Sequence, residues 1–151
     1  MNKARVTTLA SSLAAAALVS GLLASSSIAS TRVAFLRFYE RPGKTTTVDK
    51  VPRGKTGDVF LYSNPIFDRH GTRVGTDNGV CTMLNSQQSQ CNATLTLPTG
   101  QIVTLGLHGP EPEKKYQAAV IGGTGAYAAA RGTLVTRPLK DGGWTVLISL
   151  V

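Results

Sequence analysis

Histidine and cysteine are scarce in this 151-residue chain, with two of each, and there is a single tryptophan. Neither an H-x3-H nor a C-x2-C spacing occurs, and two cysteines alone cannot build a structural zinc site, so no metal is expected. Clustered charge is missing as well. The formal net charge is +8, yet Lys114-Lys115 is the only adjacent basic pair beyond the N-terminal region, whereas nucleic-acid binders cluster cations and interleave aromatics. No nucleic-acid partner is expected, and the basic excess belongs to a solvated surface. A bilayer span needs about 20 consecutive apolar residues. The apolar stretch at 9–24 is shorter and is broken by Ser11, Ser12, Ser20 and Gly21.

That stretch has another use. Lys3 and Arg5 precede it and the small residues Ser27-Ile28-Ala29 follow, which is the pattern of a cleavable export signal over residues 1–29. The mature chain is then residues 30–151, one domain of ordinary size, secreted and without stable membrane insertion. No cysteine lies near the cleavage point to carry a lipid. In an oxidising compartment, Cys81 and Cys91 are expected to form a disulfide. Their spacing suits neighbouring strands of one hairpin.

Beyond residue 30 no segment sustains a helical period. Short runs of Val, Ile, Leu, Thr and aromatics alternate instead with Gly, Pro, Asp and Asn, the mark of an all-β chain. Eight strands are expected, at 32–40, 57–63, 73–84, 91–97, 101–108, 115–121, 130–137 and 143–150. Leu97-Pro98-Thr99-Gly100 and Lys140-Asp141-Gly142-Gly143 are tight turns with glycine where positive φ is wanted. The segments 40–57 and 109–113 are too polar and proline-rich for a sheet centre and are expected as loops. Sequential strands with short connections fit an antiparallel up-and-down barrel. Trp144, on an apolar strand, is expected in the core or at an interface.

Residues 117–133, QAAVIGGTGAYAAARGT, nearly complete a G-x-G-x-x-A dinucleotide fingerprint from Gly123 to Ala128. That fold requires βαβ units continuing past the glycines. Here the chain ends in two strands with no crossover helix, so the glycines are assigned to a sharp structural turn.

In context, G-G-T-G-A-Y-A-A-A-R-G at residues 122–132 resembles the G-G-T-G-x-F-x-x-A-R-G signature of plant dirigent proteins and allene oxide cyclases. A second block agrees: Gly57-Asp58, Ser63-Asn64, Arg73-Val74-Gly75 and Gly79-Val80-Cys81 are similar to the G-D…T-N…R-V-G…G-L-C run of the cyclases. The resemblance implies an eight-stranded calycin-like barrel, trimeric or dimeric, that uses no cofactor and holds an apolar small molecule in its lumen. It implies catalysis by confining a flexible intermediate among a few placed polar groups.

The same resemblance supplies site residues. Tyr39-Glu40 stands where a Y-E pair precedes a catalytic asparagine, and Glu40 is assigned to stabilising a developing cation or moving a proton. Pro42 occupies the asparagine's place, which counts against the allene oxide reaction itself. Asn64 is either a holder of a water or oxyanion, or simply a turn residue before Pro65. Tyr39, Thr124 and Arg131 are assigned to ligand binding, with a strand-end cap or a pairing to Asp58 or Asp77 as the alternative for Arg131. Cys81 matches the cyclase cysteine, but a disulfide would remove its thiol.

The expected function is a secreted, cofactor-free barrel that cyclises or stereo-directs a hydrophobic intermediate. The alternative is a non-catalytic barrel of the same fold that binds a small ligand or serves through its oligomer surface.

Overall fold

A computed structural model describes residues 34–48, 55–109 and 115–151. The expected signal peptide, residues 1–29, and most of the 109–113 loop lie outside the described residues. Nine strands form one antiparallel sheet: β1 (Ala34–Glu40), β2 (Lys44–Thr47), β3 (Val59–Phe67), β4 (Arg73–Asn85), β5 (Gln88–Leu97), β6 (Gly100–His108), β7 (Tyr116–Gly123), β8 (Gly132–Pro138) and β9 (Trp144–Leu150). From β3 to β9 each strand pairs with the next, β9 pairs with β1, and β1 returns to β3, which closes the barrel. Both β1 and β2 lie along one edge of β3, β1 opposite Ile66 and Phe67 and β2 opposite Phe60 to Ser63. They act as one interrupted strand, so the architecture is an eight-stranded antiparallel barrel.

The seven strands from β3 to β9 follow the expected order, with boundaries shifted by a few residues. Two differences matter for the site. Residues 44–47, expected in a loop, form β2, because three successive threonines suit a pleated edge and β3 has a free edge to offer them. Strand β3 also runs four residues further than expected, straight through Pro65. Proline lacks an N–H, but the edge of β3 at this point faces the break between β1 and β2. There Arg41 N–H donates to Pro65 O at 3.2 Å, and in an antiparallel strand the missing Pro65 donor faces the same gap.

Alternation along the strands separates interior from exterior. On β5, Ser89, Cys91, Ala93, Leu95 and Leu97 are buried while the residues between them are more exposed. Ten buried residues, among them Ile66, Leu95, Ile102, Val120, Val146 and Ile148, pack into a continuous aliphatic cluster. That cluster plugs one part of the interior. The remainder is hollow.

The glycine signature docks a turn against the barrel wall. Gly125 has φ +58° and opens a 3₁₀ turn, Gly125–Tyr127. This turn docks on the β5–β6 hairpin: Ala126 N–H donates to Thr99 O at 2.9 Å, and Thr124 N–H to Gln101 O at 2.9 Å. A β-carbon on Gly125 would strike the Thr99 carbonyl oxygen. Close approach of two backbones, in a conformation disfavoured for other residues, is what the signature encodes here.

Candidate functional site in the barrel lumen

The hollow part of the barrel is a cavity of about 230 Å³. Its wall is largely apolar and aromatic, with Phe60, Tyr62, Tyr116, Trp144, Leu134, Ala93 and the Cys81–Cys91 disulfide. Cys81 and Cys91 are direct cross-strand partners on β4 and β5, and both point inward, nearly fully buried. The ring of His108 lies 5.0 Å from that of Tyr116, centroid to centroid. Trp144 thus faces the lumen rather than the packed cluster.

Two acids interrupt this wall. Glu40 is the last residue of β1, where the first strand breaks, and its side chain is turned inward and buried. Asn64 on β3 donates from Nδ2 to Glu40 Oε1 at 2.6 Å, and its Oδ1 accepts the Gly43 N–H at 2.8 Å. Asn64 is therefore held at both ends, in a strand rather than a turn. The amide that the chain lacks at position 42 reaches Glu40 from the neighbouring strand. Burial raises the Glu40 pKa above the usual carboxylate range, and the Asn64 hydrogen bond opposes this only in part.

Asp77, on β4, is the second acid and was not singled out by sequence. It stands opposite Asn64 in the β3–β4 ladder and opposite Leu95 in β4–β5. It is buried, 8% exposed. Desolvation first, then the charge of Glu40, push its pKa up to about 8, against a hydrogen bond with Tyr62. Its Oδ1 is buried without a hydrogen-bond partner. Tyr62 and Tyr116 are raised in turn, chiefly by burial and then by Asp77, Tyr116 to about 12. Space for Tyr62 comes from its cross-strand partner Gly79, where a β-carbon would overlap the phenol ring.

The family model described as "Allene oxide cyclase barrel like domain" matches residues 42–147. The chain belongs to this family. No curated protein matches it. Among solved structures, a pyocyanin demethylase is similar at 24% identity and TM-score 0.69, covering 78% of this chain and 100% of that one. A pterocarpan synthase dirigent protein is similar at 21% identity and TM-score 0.62, covering 79% and 93%. The Diels Alderase AbmU from Streptomyces koyangensis is similar at 19% identity and TM-score 0.67, covering 79% of this chain and 63% of that one. These likenesses establish a shared barrel fold.

The family's sequence blocks occupy different places in the barrel. Glu40 and Asn64 meet at the cavity wall. Tyr39, the neighbour of Glu40 on a pleated strand, points the other way and lines a separate surface depression with Arg41 and Arg69. Thr124 is exposed at the docked turn, where its Oγ1 accepts the Gln101 N–H at 3.2 Å. Arg131 is exposed, and its guanidinium donates to the Ala130 carbonyl at 2.7 Å. None of these three lines the cavity. The signal that would have found Asp77 is the period-two alternation of β4, which sets Asp77 on the same face as Cys81.

Proposed function

We propose that this family member is an isomerase-like catalyst: a cofactor-free barrel that cyclises or stereo-directs a hydrophobic small molecule in its lumen. The observation that carries the reading is a buried carboxyl, Glu40, fixed by Asn64 on the wall of an otherwise mostly apolar cavity. Asn64 Nδ2–H occupies Oε1, which leaves Oε2 to carry the proton in the protonated form that burial favours. That proton passes to a carbonyl, epoxide or alkene of the bound molecule. The resulting cation closes a ring or shifts a bond, and the carboxylate left behind stabilises it and takes a proton back. One proton enters and one leaves, so substrate and product have the same mass. The hollow adds confinement, which holds one folded conformer near the acid.

Barrels of the same fold described as a demethylase, a dirigent protein and a Diels Alderase support a lumen that performs chemistry. The basic, apolar and small-residue order of residues 1–29 and the internal disulfide support action outside the cytoplasm.

The test is a mass-resolved comparison of metabolite extracts incubated with the wild-type barrel and with Glu40→Gln. The expected result is one compound lost and one isobaric compound gained, with wild type only. Absence of any isobaric conversion, together with ligand binding that Glu40→Gln leaves intact, decides for the non-catalytic binding barrel.

A further inference from the structure

Glu40 and Asp77 share a mostly apolar cavity with no Lys or Arg on its wall. Asn64 serves Glu40. Asp77 has the Tyr62 hydroxyl on its carboxyl, yet its Oδ1 is buried and unpartnered. A buried carboxyl oxygen with no hydrogen-bond partner is costly. Such a group persists where something outside the folded chain completes it.

The surroundings restrict what that is. Tyr62, Tyr116, Phe60 and Trp144 line the same hollow, and aromatic faces attract cations, Trp most strongly. The volume of about 230 Å³ falls below the roughly 300–1,000 Å³ of sites for drug-sized ligands, which suits a compact molecule of two or three fused rings. Among the described residues no group of three or more His, Cys, Asp and Glu is placed to hold a metal ion, which favours an organic cation.

We infer that the lumen is a subsite for a flat, delocalised organic cation, such as a protonated or quaternised nitrogen heterocycle, whose positive edge lies against Asp77 Oδ1 and whose rings pack between the aromatic side chains. This rests on the lumen being the ligand site and deepens it by naming the ligand class. It gives the two acids different tasks. Asp77 fixes the charge and thereby the orientation of the ring system, while Glu40, its pKa raised by burial and its side chain held by Asn64, faces the part that reacts.

Trp144 is the only tryptophan, so its fluorescence reports occupancy directly. The full exported chain is titrated with N-methylquinolinium and with its uncharged analogue 1-methylnaphthalene. The expected result is at least tenfold tighter binding of the cation, a preference that Asp77→Asn reduces to within about twofold. Calorimetry of wild type in two buffers of different ionisation enthalpy needs no variant. It is expected to show proton release on cation binding at pH 7 and none with the neutral analogue, since the cation favours the ionised form of an acid otherwise kept protonated. The titratable groups facing Asp77 across the cavity are Glu40, Tyr62, Tyr116 and His108, and Glu40→Gln is expected to leave most of the release in place.

Equal or tighter binding of the neutral analogue, or cation binding without proton release, overturns the inference while leaving the lumen as the ligand site. If neither probe changes Trp144 fluorescence, the lumen reading falls and the inference falls with it.

Discussion

The side-chain amide of Asn64 ties two broken ends together: it donates to Glu40 Oε1 at 2.6 Å and accepts from the Gly43 N–H at 2.8 Å, spanning the gap between β1 and β2. The buried carboxyl of Glu40 is thereby fixed by the same residue that repairs the first strand. Asn64→Ala leaves a buried carboxyl and a backbone N–H without this partner and is expected to cost about 1–3 kcal/mol. The Glu40 pKa is expected to rise further once the opposing hydrogen bond is gone. Urea denaturation checks the first expectation, and carboxyl-resolved NMR titration the second.

Stability is expected to depend on the protonation of Asp77. Its folded pKa, about 8, lies above the unfolded value near 3.9, so the folded state binds more protons in between. The contribution is fully present below about pH 4 and is lost as pH rises through about 8. Glu40, also raised, acts in the same direction. Denaturation midpoints are expected to fall from pH 5 to pH 8.5, and Asp77→Asn is expected to flatten most of that slope. A slope equal to wild type in Asp77→Asn contradicts the assignment.

Gly79 makes room for Tyr62, whose hydroxyl meets Asp77. Gly79→Ala forces the phenol ring away, and overpacking of this kind costs typically about 1–3 kcal/mol. Calorimetric melting is expected to show the loss. The Asp77 pKa is expected to rise as well, since the Tyr62 hydrogen bond lowers it.

The cross-strand disulfide, ten residues apart in sequence, closes a short loop in the unfolded chain. Cys81→Ser with Cys91→Ser is expected to destabilise the barrel by about 2–3 kcal/mol. The folded wild-type protein is expected to show no reactive thiol before reduction and two after unfolding in reductant, by thiol titration.

Strand order and the barrel were legible because alternation and turn chemistry are local: Gly100 and Gly142, both at positive φ, sit in the turns that the sequence marks. Family motifs located Glu40 and Asn64. What stayed hidden depended on register. Pro65 and the polar 40–57 segment argued against strand on local rules, and only the gap opposite β3 explains why Pro65 is tolerated there. Asp77 carries no motif, and its isolation is a property of the three strands around it. Arg131 and Thr124 belong to the most recognisable stretch of the chain, whose glycines serve backbone closure at one end of the barrel. A strong motif marked the scaffold there, and a single aspartate of no special appearance lies at the cavity.

Of the ten residues in the buried aliphatic cluster, only Leu134 also lines the hollow. The aliphatic packing and the cavity lining are thus carried by nearly separate sets of side chains. Substitutions at Thr45, Phe60, Ala93 or Thr136 can re-contour the chamber without touching the plug that keeps the walls upright. A lineage built this way can reshape its cavity in small steps, each intermediate remaining a folded protein.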